Sequence, residues 1–328
     1  MPSTHRVYVG VTGQSVWRSD DGGETFNRCS KGMFMEAEIR ALAVHPKNSN
    51  VLYAGTDAGL HRTDDGGDSW NYLPSMMDDR QIWSLCIHPN SPETIFAGTC
   101  PADVFRSSDG GATWELLDTG IPRECAIEVP ITPRLTSIKV DPANDDRILA
   151  GVEIAGLFRS DDGGDTWNYK SEGLTNLDVH DIACFPPSLA GDTVFVTTNA
   201  EMFISSDAGD QWTAIGIKDK LNFTYTRGCS FDAGETPALY AGIGNGPPGD
   251  HGELVKSCDG GVSWETCAFP HEPNSTIWNL AVNPADPNLI FTTSISGQLF
   301  CSDDGGESWT KSRHEFGEVR ALAWVPSE

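Results

Sequence analysis

The sequence predicts an all-β chain, a single seven-bladed β-propeller of four-stranded blades over residues 1–328, closed by its C-terminal strand joining the N-terminal blade. Three observations predict it. A turn motif recurs seven times, its spacing suits one four-stranded blade, and the two chain ends read as complementary parts of one blade.

The motif is clearest at Ser160-Asp161-Asp162-Gly163-Gly164-Asp165-Thr166-Trp167, or Ser-x-Asp-x-Gly-x-Thr-Trp. Its third-position aspartates are Asp21, Asp65, Asp109, Asp162, Asp207, Asp259 and Asp304, spaced by 44, 44, 53, 45, 52 and 45 residues. Ser and Asp side chains bond nearby backbone N–H groups and Gly permits positive φ, so the segment turns tightly. The closing aromatic then re-enters a strand and buries a large apolar surface. Six of the ten Trp hold that place, and Phe26 fills the seventh. Turn chemistry explains every position, which makes these aspartates structural. They lack the spaced carboxylates of a calcium loop.

Each blade repeats one phrase. In blade 2, Ile39–Val44 reads as the inner strand, followed by the turn His45-Pro46-Lys47-Asn48. Val51–Gly55, Leu60–Thr63 and Trp70–Leu73 follow as second, third and outer strands. The register returns at Ile82, Leu135, Val179, Thr226, Ile277 and Val319. Val319–Val325 is an inner strand with no blade after it, whereas Arg6–Gly10 is a second strand with none before it. Together they complete blade 1, which removes free sheet edges. Two insertions break the pattern: the link Pro122–Pro133 between blades 3 and 4, and Gly244–Gly252 in blade 6. Both belong to one face of the ring, where variable loops carry binding.

Composition bounds the function. Acidic residues outnumber basic ones 47 to 22, for a net charge of −25, which excludes nucleic acid and anionic membrane as partners. No apolar run is long enough to span a bilayer. The N-terminus lacks a basic segment followed by an apolar stretch, and the nine Cys form no C-x-x-C pair, so a cytoplasmic location is expected. Cys86, Cys184 and Cys229 fall in apolar runs and read as small core residues. No phosphate-loop, zinc-protease or serine-hydrolase motif occurs, and neither cofactor nor metal is expected.

Stacking the inner strands on their common register gives one residue per blade at a single level: Arg320, Arg40, Trp83, Thr136, His180, Arg227 and Trp278. Their neighbours are mostly Ala, Leu, Ile and Val, so these seven are expected to line a pocket at the axis. Arg40, Arg227 and Arg320 offer planar forks for a carboxylate or phosphate. His180 titrates near neutrality and is the natural general acid or base. Trp83 and Trp278 supply flat walls beside Thr136. Tyr225 and Asp181 stand adjacent, and Asp57, Glu153 and His251 lie on turns of the same face. The plain alternative is a plug, in which these arginines pair with Glu36, Glu38, Asp178, Asp181 or Glu318.

The repeated motif resembles the Asp-box, or bacterial neuraminidase repeat, of the sialidase-like superfamily. That resemblance implies a propeller whose Asp-boxes lie away from the active site. Sialidases carry an Arg triad, a Tyr nucleophile with a Glu partner, and an Asp acid on six blades. Arg40, Arg227 and Arg320 would stand for the triad and Tyr225 for the nucleophile, on a ring of seven. The chain is also similar to the photosystem II assembly factor family, seven-bladed protein binders, and to seven-bladed polysaccharide lyases that neutralise a uronate with Arg. The expectation is an intracellular hydrolase or lyase without a metal. Its small carboxylated or enolisable substrate would be held by the Arg cluster, with His180 moving the proton. The alternative expectation is a scaffold binding an acidic peptide or protein on the same face.

Overall fold

A computed structural model describes residues 5–123, 131–186, 192–234 and 236–327. It contains seven antiparallel four-stranded sheets and, among the described residues, one short 3-10 turn at Ile217–Asp219. Among the described residues no helix is long and apolar enough to cross a membrane. The inner strands are Val319–Pro326, Ile39–Val44, Gln81–Ile87, Arg134–Asp141, Val179–Cys184, Tyr225–Phe231 and Ile277–Ala281, for blades 1 to 7. Blade 1 closes as expected: His5–Val11 pairs antiparallel with Val319–Pro326, Val9 opposite Leu322. In blade 2 the outer strand is Asn71–Leu73. Trp70 precedes it, because its indole N–H reaches the Cys29 carbonyl of blade 1 at 3.0 Å. Most of the link Pro122–Pro133 lies outside the described residues.

The core is divided among the blade interfaces. One buried cluster unites Tyr8, Ile39, Leu52, Trp70 and Val325 between blades 1 and 2. Another joins Val9, Phe291, Leu299 and Trp324 between blades 7 and 1. Neither face of a sheet is buried by its own blade, so stacking supplies the burial. Towards the crowded axis, Gly55 and Gly98 of the second strands lie so close to Ile82 and Leu135 of the next blade that a Cβ would collide with them.

The Asp-boxes form one repeated network. Asp162 Oδ1 accepts from the Ser160 hydroxyl and the Thr166 N–H, while Oδ2 accepts the Thr166 hydroxyl at 2.6 Å. Gly164 N–H donates to Ser160 Oγ at 2.8 Å. The residue before the box adds a link between blades: Arg18, Arg62, Arg106 and Arg159 donate to the fourth-position carbonyl of the next box. The Thr166, Ser263 and Ser308 hydroxyls and amides hold Asp162, Asp259 and Asp304 down to about 2. Because the unfolded carboxyl titrates near ~3.9, this stabilisation is complete above about pH 4 and is lost as pH falls towards 2. Thermal melts from pH 5 to 2 should show that loss. Asp162→Asn should flatten the slope, and an unchanged slope would count against it.

Blade 5 departs from its siblings. Ala208 stands where six boxes have Gly, and it holds φ +58°. A Cβ in the left-handed region costs about 1 kcal/mol or more. Ala208→Gly should therefore raise the melting temperature by a few degrees in calorimetry; a lower value would show that the buried methyl matters more.

Candidate functional site at the propeller axis

The seven register positions are a structural class: each falls at a β-bulge of its inner strand. In blade 2 Ile39 faces Thr56 and Ala41 faces Gly55, so Arg40 has no partner across the ladder. Trp83, Thr136, His180, Trp278 and Arg320 are skipped in the same way, and blade 6 skips Arg227 together with Gly228. A bulge frees one residue and re-aims its side chain. Here it turns one side chain per blade towards the axis. All seven line a cavity of about 200 Å³.

Four of the seven ring residues, Arg40, Trp83, Arg227 and Arg320, are braced by the residue two places earlier, which shares its face of the strand. Arg40 pairs with Glu38, and Arg320 with Glu318. The Trp83 indole donates to Gln81 Oε1 at 3.0 Å, and Arg227 Nε to the Tyr225 hydroxyl at 2.7 Å. His180 Nε2 lies 3.6 Å from Asp178 Oδ2. Thr136 follows Arg134, which pairs with Glu153. The braces were legible in the sequence as a spacing of two. Arg134 was missed because it lies one level above the ring.

Each of the two indoles on the wall lies against two arginines. The Trp83 ring centre lies 4.4 Å from the Arg40 guanidinium and 4.6 Å from that of Arg134. Trp278 lies 3.9 Å from Arg227 and 4.9 Å from Arg320. Such contacts hold a guanidinium flat and partly desolvated. Burial depresses the Arg40 and Arg227 guanidinium pKa values, opposed by Glu38 for the first and chiefly by Tyr225 for the second. Burial also pushes the Tyr225 hydroxyl above its usual range.

The remaining predicted residues have other surroundings. Asp181 lies at the cavity wall, but its carboxylate is occupied by the Ser137 hydroxyl and the Ile182 and Cys229 amides. Glu153 is buried beside Arg134 and Arg227. Asp57 accepts the Glu38 N–H and opens on an apolar cleft with Phe34 and Tyr72. His251 pairs with Asp250 on the exposed blade 6 insertion, beside a separate cleft with Phe223 and Phe269. The insertion itself is tied to blade 7, where the Thr276 hydroxyl donates to the Gly246 carbonyl.

Fold and repeat define the class: this chain is a seven-bladed Asp-box β-propeller. The BNR/Asp-box repeat matches residues 300–311, and the Sortilin-Vps10 family (sortilin, neurotensin receptor 3) matches residues 14–147. A xyloglucanase of Hypocrea jecorina is 24% identical over 83% of this chain and 38% of its own length. Xyloglucanase Xgh74A of Acetivibrio thermocellus is 26% identical over 82% of this chain and 37% of its own. The chain thus spans less than half the length of these relatives. Among solved structures, the GH74 xyloglucanase of Xanthomonas campestris superposes with a TM-score of 0.66 at 19% identity, over 83% of this chain and 45% of that one. YCF48 bound to D1 peptide gives 0.58 at 17% identity, over 84% and 82%.

These relatives correct the expected substrate. They are named for xyloglucan, a polysaccharide, rather than for a small carboxylated or enolisable molecule, and a small anionic partner falls with it. The acidic peptide or protein partner is set aside with it. The ring agrees on physical grounds at two of its three arginines: Arg40 and Arg320 already hold the carboxylates of Glu38 and Glu318, while Arg227 lies 3.9 Å from Glu153.

Proposed function

We propose that this chain is a glycoside-hydrolase-type propeller that takes a neutral polysaccharide, xyloglucan foremost, where the axial cavity opens. The observation that carries the reading is the pair of indoles, Trp83 and Trp278, set against Arg40 and Arg227 beside the Arg40–Glu38 and Arg320–Glu318 ion pairs. A sugar ring offers C–H groups to an aromatic and hydroxyls to guanidinium and carboxylate groups, so a neutral, polar and partly aromatic wall suits it. The cavity is smaller than the roughly 300–1,000 Å³ of a drug-sized pocket. It therefore admits a single ring, a branch or a chain end, while the rest of the glycan lies across the face. Hydrolysis takes two carboxyl groups flanking the scissile bond. We assign that role to Glu38 and Glu318, which pair with Arg40 and Arg320 of the ring, and to Asp57, whose Oδ1 accepts the Glu38 N–H.

The test is calorimetric titration with xyloglucan oligosaccharides beside release of reducing ends from the polymer. Trp83→Ala and Trp278→Ala should each weaken binding about tenfold or more. At least one of Glu38→Gln, Glu318→Gln and Asp57→Asn should lower release by about 100-fold or more with binding retained. Binding without release in the unaltered chain would remove the hydrolase half of the proposal. Absence of both would remove all of it.

A further inference from the structure

Beside the ring, Glu153, Asp178 and His180 bring three ligand atoms within 4.8 Å of one another. They come from different elements: Glu153 ends the second strand of blade 4, while Asp178 and His180 flank the start of the blade 5 inner strand. The bulge that re-aims His180 buries its side chain to 1% exposure.

The imidazole is fixed in one tautomer. Nδ1 lies 2.6 Å from the Thr226 carbonyl, which only accepts, so Nδ1 carries the proton. A neutral ring then points its Nε2 lone pair into the cluster, and Nε2 is buried with no hydrogen-bond partner in the described protein. Asp178 Oδ1 shares that condition. The Nε2 to Oδ2 separation of 3.6 Å is too long for a hydrogen bond. It is close to the edge, about 3.4 Å, of a tetrahedron whose ligands lie ~2.1 Å from a central ion. A metal-bound His commonly gives its other N–H to a backbone carbonyl, the arrangement present here.

We propose that Glu153, Asp178 and His180 form a binding site for a divalent first-row transition ion, zinc or manganese. One neutral imidazole and two carboxylates supply two negative charges, and a mixed N/O set suits those ions better than calcium. Arg134 and Arg227 flank Glu153 and orient its carboxylate. Their positive charge lowers the affinity, so the site is expected to exchange its ion with chelators. Bound metal would tie the second-to-third strand turn of blade 4 to the inner strand of blade 5. The inference stands apart from the polysaccharide reading and survives its failure.

The experiment uses the full chain after chelator treatment, with Zn²⁺ or Mn²⁺ alone as probe. Calorimetry and elemental analysis should find one equivalent bound and a raised melting temperature. Asp178→Asn and Glu153→Gln should each weaken binding at least about tenfold. Co²⁺ should give a visible ligand-field spectrum that His180→Gln removes. Asp250→Asn, at the distant His251 pair, should change nothing. Melts of the metal-free variants establish that each is folded, and Asp178→Asn carries the test where His180→Gln is not. No saturable binding at millimolar ion overturns the site, as does binding that all three substitutions leave unchanged.

Discussion

Removal of residues 319–328 is expected to unfold this protein at ambient temperature, or to lower its melting temperature more than any point substitution. The deleted strand is the inner strand of blade 1 and pairs along His5–Val11 from Pro326 to Val319. It buries Val319, Ala321, Trp324 and Val325 in the clusters that seal blade 1 against blades 7 and 2. At about 1.5–3 kcal/mol for each large apolar side chain, the loss approaches the ~5–15 kcal/mol that holds a typical domain together. A free edge would also be exposed along His5–Val11, which invites pairing with another chain. Circular dichroism melts and size-exclusion chromatography of the truncated chain should show loss of the cooperative transition and self-association. A truncated chain that melts as a monomer near the full-length temperature would refute closure as the source of stability.

The fold was legible because its regularity is local. Each Asp-box is one turn whose bonds lie within eight residues, so Ser160 to Trp167 announces itself without reference to the rest of the chain. Counting those turns sets the register of every inner strand, and that register placed Arg40, Trp83 and His180 at one level. The level could be read, but the bulge could not, since it depends on which residue of the second strand lies opposite. Charge compensation is half visible: Glu38 and Glu318 stand near Arg40 and Arg320 in the sequence, and their spacing of two is what sets each pair on one face. The meeting of Glu153 with Asp178 and His180 joins residues more than twenty places apart on different blades, and no periodicity announces it. Asp57 and His251 show the limit of reasoning by face. They stand on turns of the second-to-third-strand type, yet each opens on its own cleft.

Asp181→Ala should separate a structural carboxylate from a substrate-binding one. Asp181 bridges three blades: Oδ1 accepts the Ser137 hydroxyl of blade 4 at 2.7 Å and the Ile182 N–H of its own strand at 2.9 Å. Oδ2 accepts the Cys229 N–H of blade 6 at 3.1 Å. The Lys139 ammonium lies 3.6 Å from Oδ1 and its pKa is raised, chiefly by that charge. Three hydrogen bonds at about 0.5–1.5 kcal/mol each, with an amide left without its acceptor, amount to a loss of roughly 2–4 kcal/mol. The ion pair adds little, because the Lys139 side chain is 43% exposed towards the channel, where water screens it. Melts should therefore fall by several degrees in Asp181→Ala and by less in Asp181→Asn, which keeps the Oδ1 acceptor. Adding Lys139→Met to Asp181→Ala should recover under about 1 kcal/mol. Glycan affinity should stay within about twofold, since the carboxylate is already filled by the protein. A large loss of affinity with an unchanged melt would return Asp181 to the binding wall.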